Sequence, residues 1–224
     1  MREFTDPSLA ADQFVADLSA LEDPTTQRQR ILRKEYSRAL RERTPRFVIE
    51  MGLALLETHG KRWHACELVS AHPGALQELD IPTLERFGAG INSWDSVDIF
   101  ARTLSGPAWL NGVISDEAVH RWARSDNLWW RRAALVSTVA LNIKTDGGTG
   151  DSDRTLAVCD TLLDDREDMV VKAMSWALRA LSVPRPTAVS DYVNTHKGRL
   201  AARVKREVGN KLRTGLKNPE RKRK

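Results

Sequence analysis

Three residues have types and spacings that suit chemistry on a positively charged group. Trp94 and Asp98 are four residues apart, so in a helix they share one flank. A carboxylate beside an indole ring near a helix start can stabilise a developing cation. Trp176 falls outside the apolar stripe of its predicted helix, on the same side as Lys172 and Arg179. That side can form an aromatic wall for a sugar or a base, with cations for phosphates.

Each of these residues also has a purely structural interpretation, and the pattern alone leaves both open. Asp98 is equally well placed to be a solvated flank residue, and a neighbouring element can cover Trp176. Arg132 falls within the apolar stripe that contains Leu128 and Leu135. An arginine there requires either a carboxylate partner, such as an acid of the preceding helical repeat, or an anion such as a phosphate.

The charge distribution indicates a polyanionic partner. Within the net charge of +5, residues 197–224 carry +10 and the remaining 196 residues carry −5. A second basic cluster lies at 28–46, where eight Arg and Lys residues accompany two Glu residues. Two such clusters in an otherwise acidic chain are typical of proteins that bind nucleic acid, although solvated basic surfaces have the same composition.

The elements that must position these residues are helices. Amphipathic periodicity predicts an all-α chain with helices at 9–21, 25–41, 45–58, 62–71, 82–87, 94–104, 116–125, 128–144, 153–162, 167–181, 186–196 and 199–212. Many short helices joined by tight turns favour an α-solenoid of stacked helix pairs. We expect one domain over 1–218, a basic, disordered tail at 219–224 and a flexible connector at 144–151.

Composition and motifs exclude several other classes of protein. A hydrophobic fraction of 41% is too high for a disordered chain, and no apolar run is long enough to span a bilayer. Cys66 and Cys159 are isolated from each other and from any metal-binding spacing. The Gly-rich stretch at 144–151 lacks the Lys-Ser/Thr of a phosphate-binding P-loop. We therefore expect no metal and no nucleotide cofactor. The acidic start of the chain, with no secretory signal, leads us to expect a cytoplasmic protein.

Four segments together resemble a known family. They are 92–98, 130–135, 171–179 and 206–218, and they occur in the family's order with compatible spacing. With them, the chain resembles the bacterial AlkD-type DNA alkylation repair proteins, which are DNA glycosylases built from HEAT-like repeats. The match is best from about residue 84 to residue 218. The resemblance implies a right-handed α-solenoid of HEAT-like repeats with a concave DNA-binding face.

The resemblance also implies a function and its residues. Enzymes of this family hydrolyse the N-glycosidic bond of cationic N3- or N7-alkylated purines in duplex DNA, and the best-understood members do so without flipping the base. The family's catalytic residues fall on Trp94, Asp98 and Trp176, and an arginine near the lesion backbone falls on Arg132. With the basic helices, the expected DNA contacts are Arg131, Arg132, Lys172, Arg179, Arg203, Lys205, Arg206, Lys211 and Arg213. We expect a monomer on alkylated double-stranded DNA, nucleoid-associated when bound, with no cofactor and no membrane partner.

Two segments depart from the family and leave alternatives open. The stretch at 38–45 matches the family's Gly-rich N-terminal segment poorly, and the loop at 147–151 is longer than usual. Because of these departures, the range of lesions that the family accepts and the surface by which DNA enters do not carry over directly to this chain. One alternative is a non-catalytic HEAT-like module that binds distorted or branched DNA. Another is a protein-binding scaffold, which would leave the basic C-terminal helix unexplained.

Overall fold

The computed structural model of the chain describes residues 4–219, and this part is helical throughout, with no strand. The α-helices are α1 (Pro7–Ser19), α2 (Thr26–Ala39), α3 (Pro45–Glu57), α4 (Arg62–Ala71), α5 (Ile81–Gly88), α6 (Trp94–Phe100), α7 (Gly106–Leu110), α8 (Asp116–Ala123), α9 (Leu128–Asn142), α10 (Ser152–Thr161), α11 (Asp168–Leu181), α12 (Pro186–Thr195) and α13 (Ala202–Thr214). Every segment predicted as helical contains a helix, so the prediction of an all-α chain is confirmed. The tail predicted at 219–224 lies outside the described residues, apart from Pro219.

The helices pack in two rows. We call α2, α4, α6, α9, α11 and α13 the front row, because it carries the candidate site residues, and each of its helices packs against the next. The back row consists of α1, α3, α5, α8, α10 and α12. Each back-row helix precedes its front-row partner in the chain, which makes six stacked pairs in the described part and is consistent with an α-solenoid.

The sequence defines most helix starts through caps and prolines. The side chains of Asp6, Thr25, Thr44, Asp80, Asn127 and Asp151 each accept a hydrogen bond from a backbone N–H in the first turn that follows. Proline occupies the first turn of α1, α3, α5 and α12, where its missing N–H costs nothing. These signals explain why the helix starts were more accurately predictable than the helix ends.

The helix predicted at 94–104 is longer than expected. After α6 the chain continues through a π-helical stretch, Ala101–Ser105, directly into α7. At this point the chain approaches α9 closely, since the hydroxyl groups of Ser105 and Ser137 are 2.6 Å apart. A Cβ at Gly106 would lie 2.8 Å from the carbonyl oxygens of both Ala101 and Ser137. Only glycine fits here without a shift of backbone, so Gly106 permits this contact.

The prediction of a flexible connector at 144–151 is wrong, because an ion pair and side-chain hydrogen bonds hold the segment in place. Asp146 forms an ion pair with Arg102 at 2.7 Å. The Asn142 side chain accepts a hydrogen bond from the Asp151 N–H at 3.1 Å and donates one to Thr155 at 2.9 Å. The glycines that suggested flexibility are needed for conformation instead, and Gly147 has a φ of 91°.

The first two pairs enclose a buried histidine. The His64 ring packs against Phe14 and Trp63, with centroid distances of 5.1 and 4.6 Å. Its Nε2 atom is buried and has no hydrogen-bond partner among the described residues. Burial, together with the charges of Lys61 and Arg33, lowers the pKa of His64 to about 4.

None of the helices in residues 4–219 is long and apolar enough to cross a bilayer.

We predict that Gly106→Ala destabilises the protein by about 1–3 kcal/mol, because the added methyl group must displace the backbone of α9 or of the π-helical stretch. The free energy of unfolding in urea measures this effect. Gly198→Ala is the matched control, because a Cβ there meets no atom within 4 Å. Equal stability of the two variants would contradict a close approach at Gly106.

We also predict that the protein loses stability as the pH falls from 6.5 towards 4. In this window the unfolded chain protonates His64 and the folded protein does not, because the folded pKa of about 4 is below the ordinary value of 6.5. The loss attributable to His64 is at most about 3 kcal/mol. Urea unfolding at several pH values should show a shallower pH dependence for His64→Leu than for wild type. Parallel curves would show that His64 is not the responsible group.

Candidate functional site

The start of α6 presents Trp94 to solvent. Ser93 is the N-cap residue, and its backbone N–H donates to the Ser96 hydroxyl at 3.2 Å. Trp94 is the first residue of the helix, and 58% of its surface is exposed, which is unusual for an indole. The core-facing residues of α6, Val97 and Phe100, are fully buried. Helix periodicity therefore places Trp94 and Asp98 on a flank outside the core, as the spacing predicted.

Asp98 and Arg132 form a bidentate ion pair between α6 and α9. The Arg132 Nε donates to Oδ1 at 3.0 Å, and Nη2 donates to Oδ2 at 2.9 Å. The remaining nitrogen, Nη1, donates to the backbone carbonyl of Met169 in the first turn of α11 at 2.7 Å. One guanidinium group therefore connects three consecutive front-row helices, with each of its nitrogens bonded.

The pair is buried on the arginine side and accessible on the carboxylate side. The Arg132 side chain is 6% exposed and the Asp98 side chain 20%. Burial raises the pKa of the Asp98 carboxyl above its ordinary value, while Arg132 opposes that rise. The fork of Arg132 fixes the orientation of the carboxyl group, so its two oxygens lie in defined positions on the same flank as an exposed indole.

Of the two interpretations that the sequence left open for Arg132, the ion pair with an acid of the preceding repeat is confirmed. Arg131 is engaged in the same way, since its Nε donates to Asp165 at 2.8 Å and its Nη1 donates to the carbonyls of Ser125 and Asp126. Neither arginine is a free cation, and each connects elements of the chain. A phosphate contact by either stays a prediction.

The surroundings of Trp176 combine aromatic and charged groups on α11. Trp176 is half-buried and packs against the edge of the core, and Lys172, one turn earlier, is half-buried as well. Lys172 forms an ion pair with Asp168 at 2.7 Å. Arg179 donates to the Ser175 hydroxyl at 3.2 Å. The side of α11 that the sequence singled out is therefore half-buried, and it carries the predicted residue types.

The basic residues of α13 divide into two groups. Arg206 and Arg213 lie on the face opposite the buried Val204 and Val208, and both are exposed. Arg203, on the same side, lies 3.4 Å from Asp168 of α11. Lys205 and Lys211 donate instead to the carbonyls of Lys197 and Gly215, so they close local turns.

Three acids that position these cations were missed by the sequence analysis. Asp168 lies between Lys172 and Arg203, and Asp165 holds Arg131. Glu207 of α13 is 3% exposed and accepts a hydrogen bond from Ser175 at 2.7 Å. Only the Asp168–Lys172 pair, with its four-residue spacing, carried a signal in the sequence. The other two partners are brought together by packing between helices.

Neighbouring front-row helices run parallel, because one back-row helix reverses the chain between each pair of them. The contacting residues occupy the same turn counted from the amino end of each helix, as parallel helices require. Asp98 and Arg132 are both in second turns, and Asp168 and Arg203 are both in first turns. The amino ends of α6, α9, α11 and α13 therefore share one edge, where first-turn acids such as Asp95 and Asp168 offset the positive ends of the helix dipoles. The candidate residues lie near this edge.

Within residues 4–219, no group of three or more His, Cys, Asp or Glu side chains is arranged to hold a metal ion.

Comparison with known proteins gives one family. The sequence model of a family described as "DNA alkylation repair enzyme" matches residues 23–212. This span includes the front row from α2 to most of α13, and all of the candidate residues except Arg213. No curated protein matches the chain.

We predict that Arg132→Ala lowers the free energy of unfolding by about 3 kcal/mol, because it leaves the Asp98 carboxylate partly buried without a cation and removes the link to α11. Chemical denaturation measures the loss. Arg46→Ala is the control, since Arg46 is 84% exposed in its pair with Glu50 and should contribute less than about 1 kcal/mol. In the Asp98→Asn variant, Arg132→Ala should lower the free energy of unfolding by a smaller amount. An unchanged cost would show that the pair with Asp98 is not its source.

Proposed function

Because the chain belongs to the DNA alkylation repair enzyme family, we propose that it is a DNA glycosylase that hydrolyses the N-glycosidic bond of N3- or N7-alkylated purines in duplex DNA. The observation that carries the proposal is the oriented carboxylate of Asp98, on the same flank as the exposed Trp94. Such a pair fits a reaction in which positive charge moves from a base to a sugar.

The proposed chemistry requires charge stabilisation more than acid catalysis. An N3- or N7-alkylated purine is cationic, so when the bond from its nitrogen to C1′ breaks, the electron pair leaves with a neutral base. The deoxyribose then carries oxocarbenium-like positive charge. Asp98 stabilises that charge and orients the water that adds to C1′, and the proton of the water passes to the carboxylate or to solvent. A burial-raised pKa makes Asp98 a better proton acceptor than an exposed aspartate.

The two tryptophans are proposed to flank the deoxyribose. Their electron-rich faces favour a cation over a neutral sugar, so the interaction is stronger in the transition state than in the ground state. Trp94 is exposed enough to meet DNA at the surface of the front row, which fits recognition without base flipping. Trp176 lies on α11, whose first turn accepts the Arg132 hydrogen bond.

Arg132 is proposed as a positioning residue. It holds both oxygens of Asp98 and keeps the carboxylate ionised beside the reacting centre. Because its three nitrogens are engaged, its contribution to the reaction passes through Asp98. Its effect on binding should be smaller than that of an exposed cation.

The DNA is proposed to lie across the front row, as the concave face of a right-handed HEAT-like solenoid. The exposed Arg206 and Arg213, together with the half-buried Lys172, suit phosphate contacts that position the duplex without reading its sequence. We propose that the protein acts as a monomer in the cytoplasm, with no cofactor.

We predict that Asp98→Asn lowers the rate of base release by about 100-fold or more, since it removes the charge that stabilises the transition state. The assay measures N3-methyladenine and N7-methylguanine released from methylated duplex DNA. Asp95→Asn is the matched control, because Asp95 is an exposed acid on the same helix, hydrogen-bonded to Ser93.

Two outcomes would contradict the proposal. Equal rates for wild type and Asp98→Asn would remove Asp98 from the mechanism. Salt-sensitive DNA binding by wild type with no release of either base would favour the non-catalytic alternative, a module that binds distorted or branched DNA.

A further inference from the structure

The free face of α2 carries four cations that the candidate site does not include. Arg30, Lys34, Arg38 and Arg41 follow one another at spacings of three or four residues, so they form one stripe on and just beyond the helix. None of the four has an acidic partner within ion-pair distance among residues 4–219. Arg33, which lies off the stripe, is paired with Glu67 of α4 at 2.8 Å.

This stripe lies on the same side of the front row as the candidate residues. Tyr36 is fully buried and packs against Phe14 of α1 at 4.8 Å, so it marks the direction of the back row. The stripe is centred on the opposite side of α2. Trp176 of α11 and Arg206 of α13 likewise lie opposite the buried residues of their helices.

A groove lies between the start of α4 and the start of α6, next to Arg30 of α2. The guanidinium of Arg30 lies 6.0 Å from the ring centroid of Trp63 on α4. Trp63 and Lys61 line a groove of about 540 Å³, whose other wall contains Asn92 and Ser96 beside Trp94. Lys61 has no acidic partner among the described residues, and its positive charge, with that of Arg33, contributes to the low pKa of His64. Lys61 and Arg62 therefore place positive charge on the α4 side of the groove, while Asp95 lies in its other wall.

We propose that the α2 stripe, together with Lys61, binds the phosphates of undamaged duplex DNA on one side of the lesion. This inference rests on the proposed function and extends it, because the DNA is then held at both ends of the front row. The stripe suits a duplex backbone, since its cations are long, exposed and regularly spaced, and among residues 4–219 none lies within ion-pair distance of the neighbouring acids Glu35 and Glu42. Two of its residues, Arg38 and Arg41, lie in the segment at 38–45 that matches the family poorly.

The geometry gives the length of DNA required. Packed helices lie about 9 Å apart, so α2, two positions from α6 in the front row, is about 20 Å from the candidate site. At about 3.4 Å per base pair, this corresponds to roughly six base pairs. The proposal therefore requires about six or more base pairs on the side of the lesion that lies towards α2. The length of duplex on the other side should not affect the α2 contact.

The first test measures the salt dependence of binding to a fluorescein-labelled, undamaged 20-base-pair duplex. Lys34→Ala/Arg38→Ala should lower the slope of log K against log salt concentration by about 1.8, the value for two lost phosphate contacts. The control Arg46→Ala/Arg121→Ala removes the same charge from two exposed arginines that are paired with Glu50 and Glu85. A slope that falls equally in both double variants would overturn the proposal, because the effect would then be one of net charge.

The second test uses methylated duplexes whose lesion-bearing site is flanked by a long arm on one side and an arm of three base pairs on the other. For wild type, shortening one specific arm should weaken binding, and the Lys34→Ala/Arg38→Ala variant should be insensitive to that shortening. If the losses of binding free energy caused by the short arm and by the double substitution simply added, the two changes would act independently. That result would overturn the proposal.

The proposed function and this inference fail in different ways. Binding to undamaged duplex involves no chemistry, so absence of base release by wild type overturns only the glycosylase proposal. DNA binding that is independent of Lys34 and Arg38, by a wild-type protein that does release bases, overturns only the α2 contact.

Discussion

The bidentate contact between Arg132 and Asp98, with its third bond to Met169, is the interaction on which the candidate site depends. A guanidinium within an apolar stripe is costly to bury unless every nitrogen finds an acceptor. The fold satisfies this requirement with groups from the two neighbouring front-row helices. The same bonds that make Arg132 tolerable in the core therefore fix the position of the carboxylate to which the chemistry is assigned. Stability and the proposed function are therefore coupled at one side chain.

The row architecture determines which charges reach the surface. Parallel front-row helices place equivalent turns at the same level, so cations and acids of adjacent helices meet, as in the contact between Asp168 and Arg203. Acids neutralise or immobilise several of the basic residues near the centre, whereas those on α2 and the far side of α13 stay exposed. The surface is consequently most cationic towards its two ends and has a carboxylate at its centre. That distribution suits an anionic duplex carrying one cationic lesion.

Local patterns were sufficient to predict the helices and the outward position of Trp94, since both follow from spacing along one helix. The partner of Arg132 depends on the register between helices, which no single segment encodes. The glycines at 144–151 predict a flexible segment, and this prediction is wrong. The contacts that hold the segment in place come from distant side chains such as Arg102, which the local pattern does not reveal. The π-helical stretch before Gly106 was also invisible, because it leaves the amphipathic pattern on both sides intact. Membership of the family is confirmed, whereas the roles of individual site residues stay predictions.

The stacking of pairs has a consequence for how the molecule loses structure. The main helix–helix contacts join only pairs that are neighbours in the stack, so its cooperativity is of the nearest-neighbour kind. Terminal pairs have one neighbour each and open first, whereas the third, fourth and fifth pairs are supported from both sides and linked by Arg132. The candidate site should thus be the slowest region to exchange its amide hydrogens, while the α1–α2 and α12–α13 pairs at the two ends of the stack open and close more often.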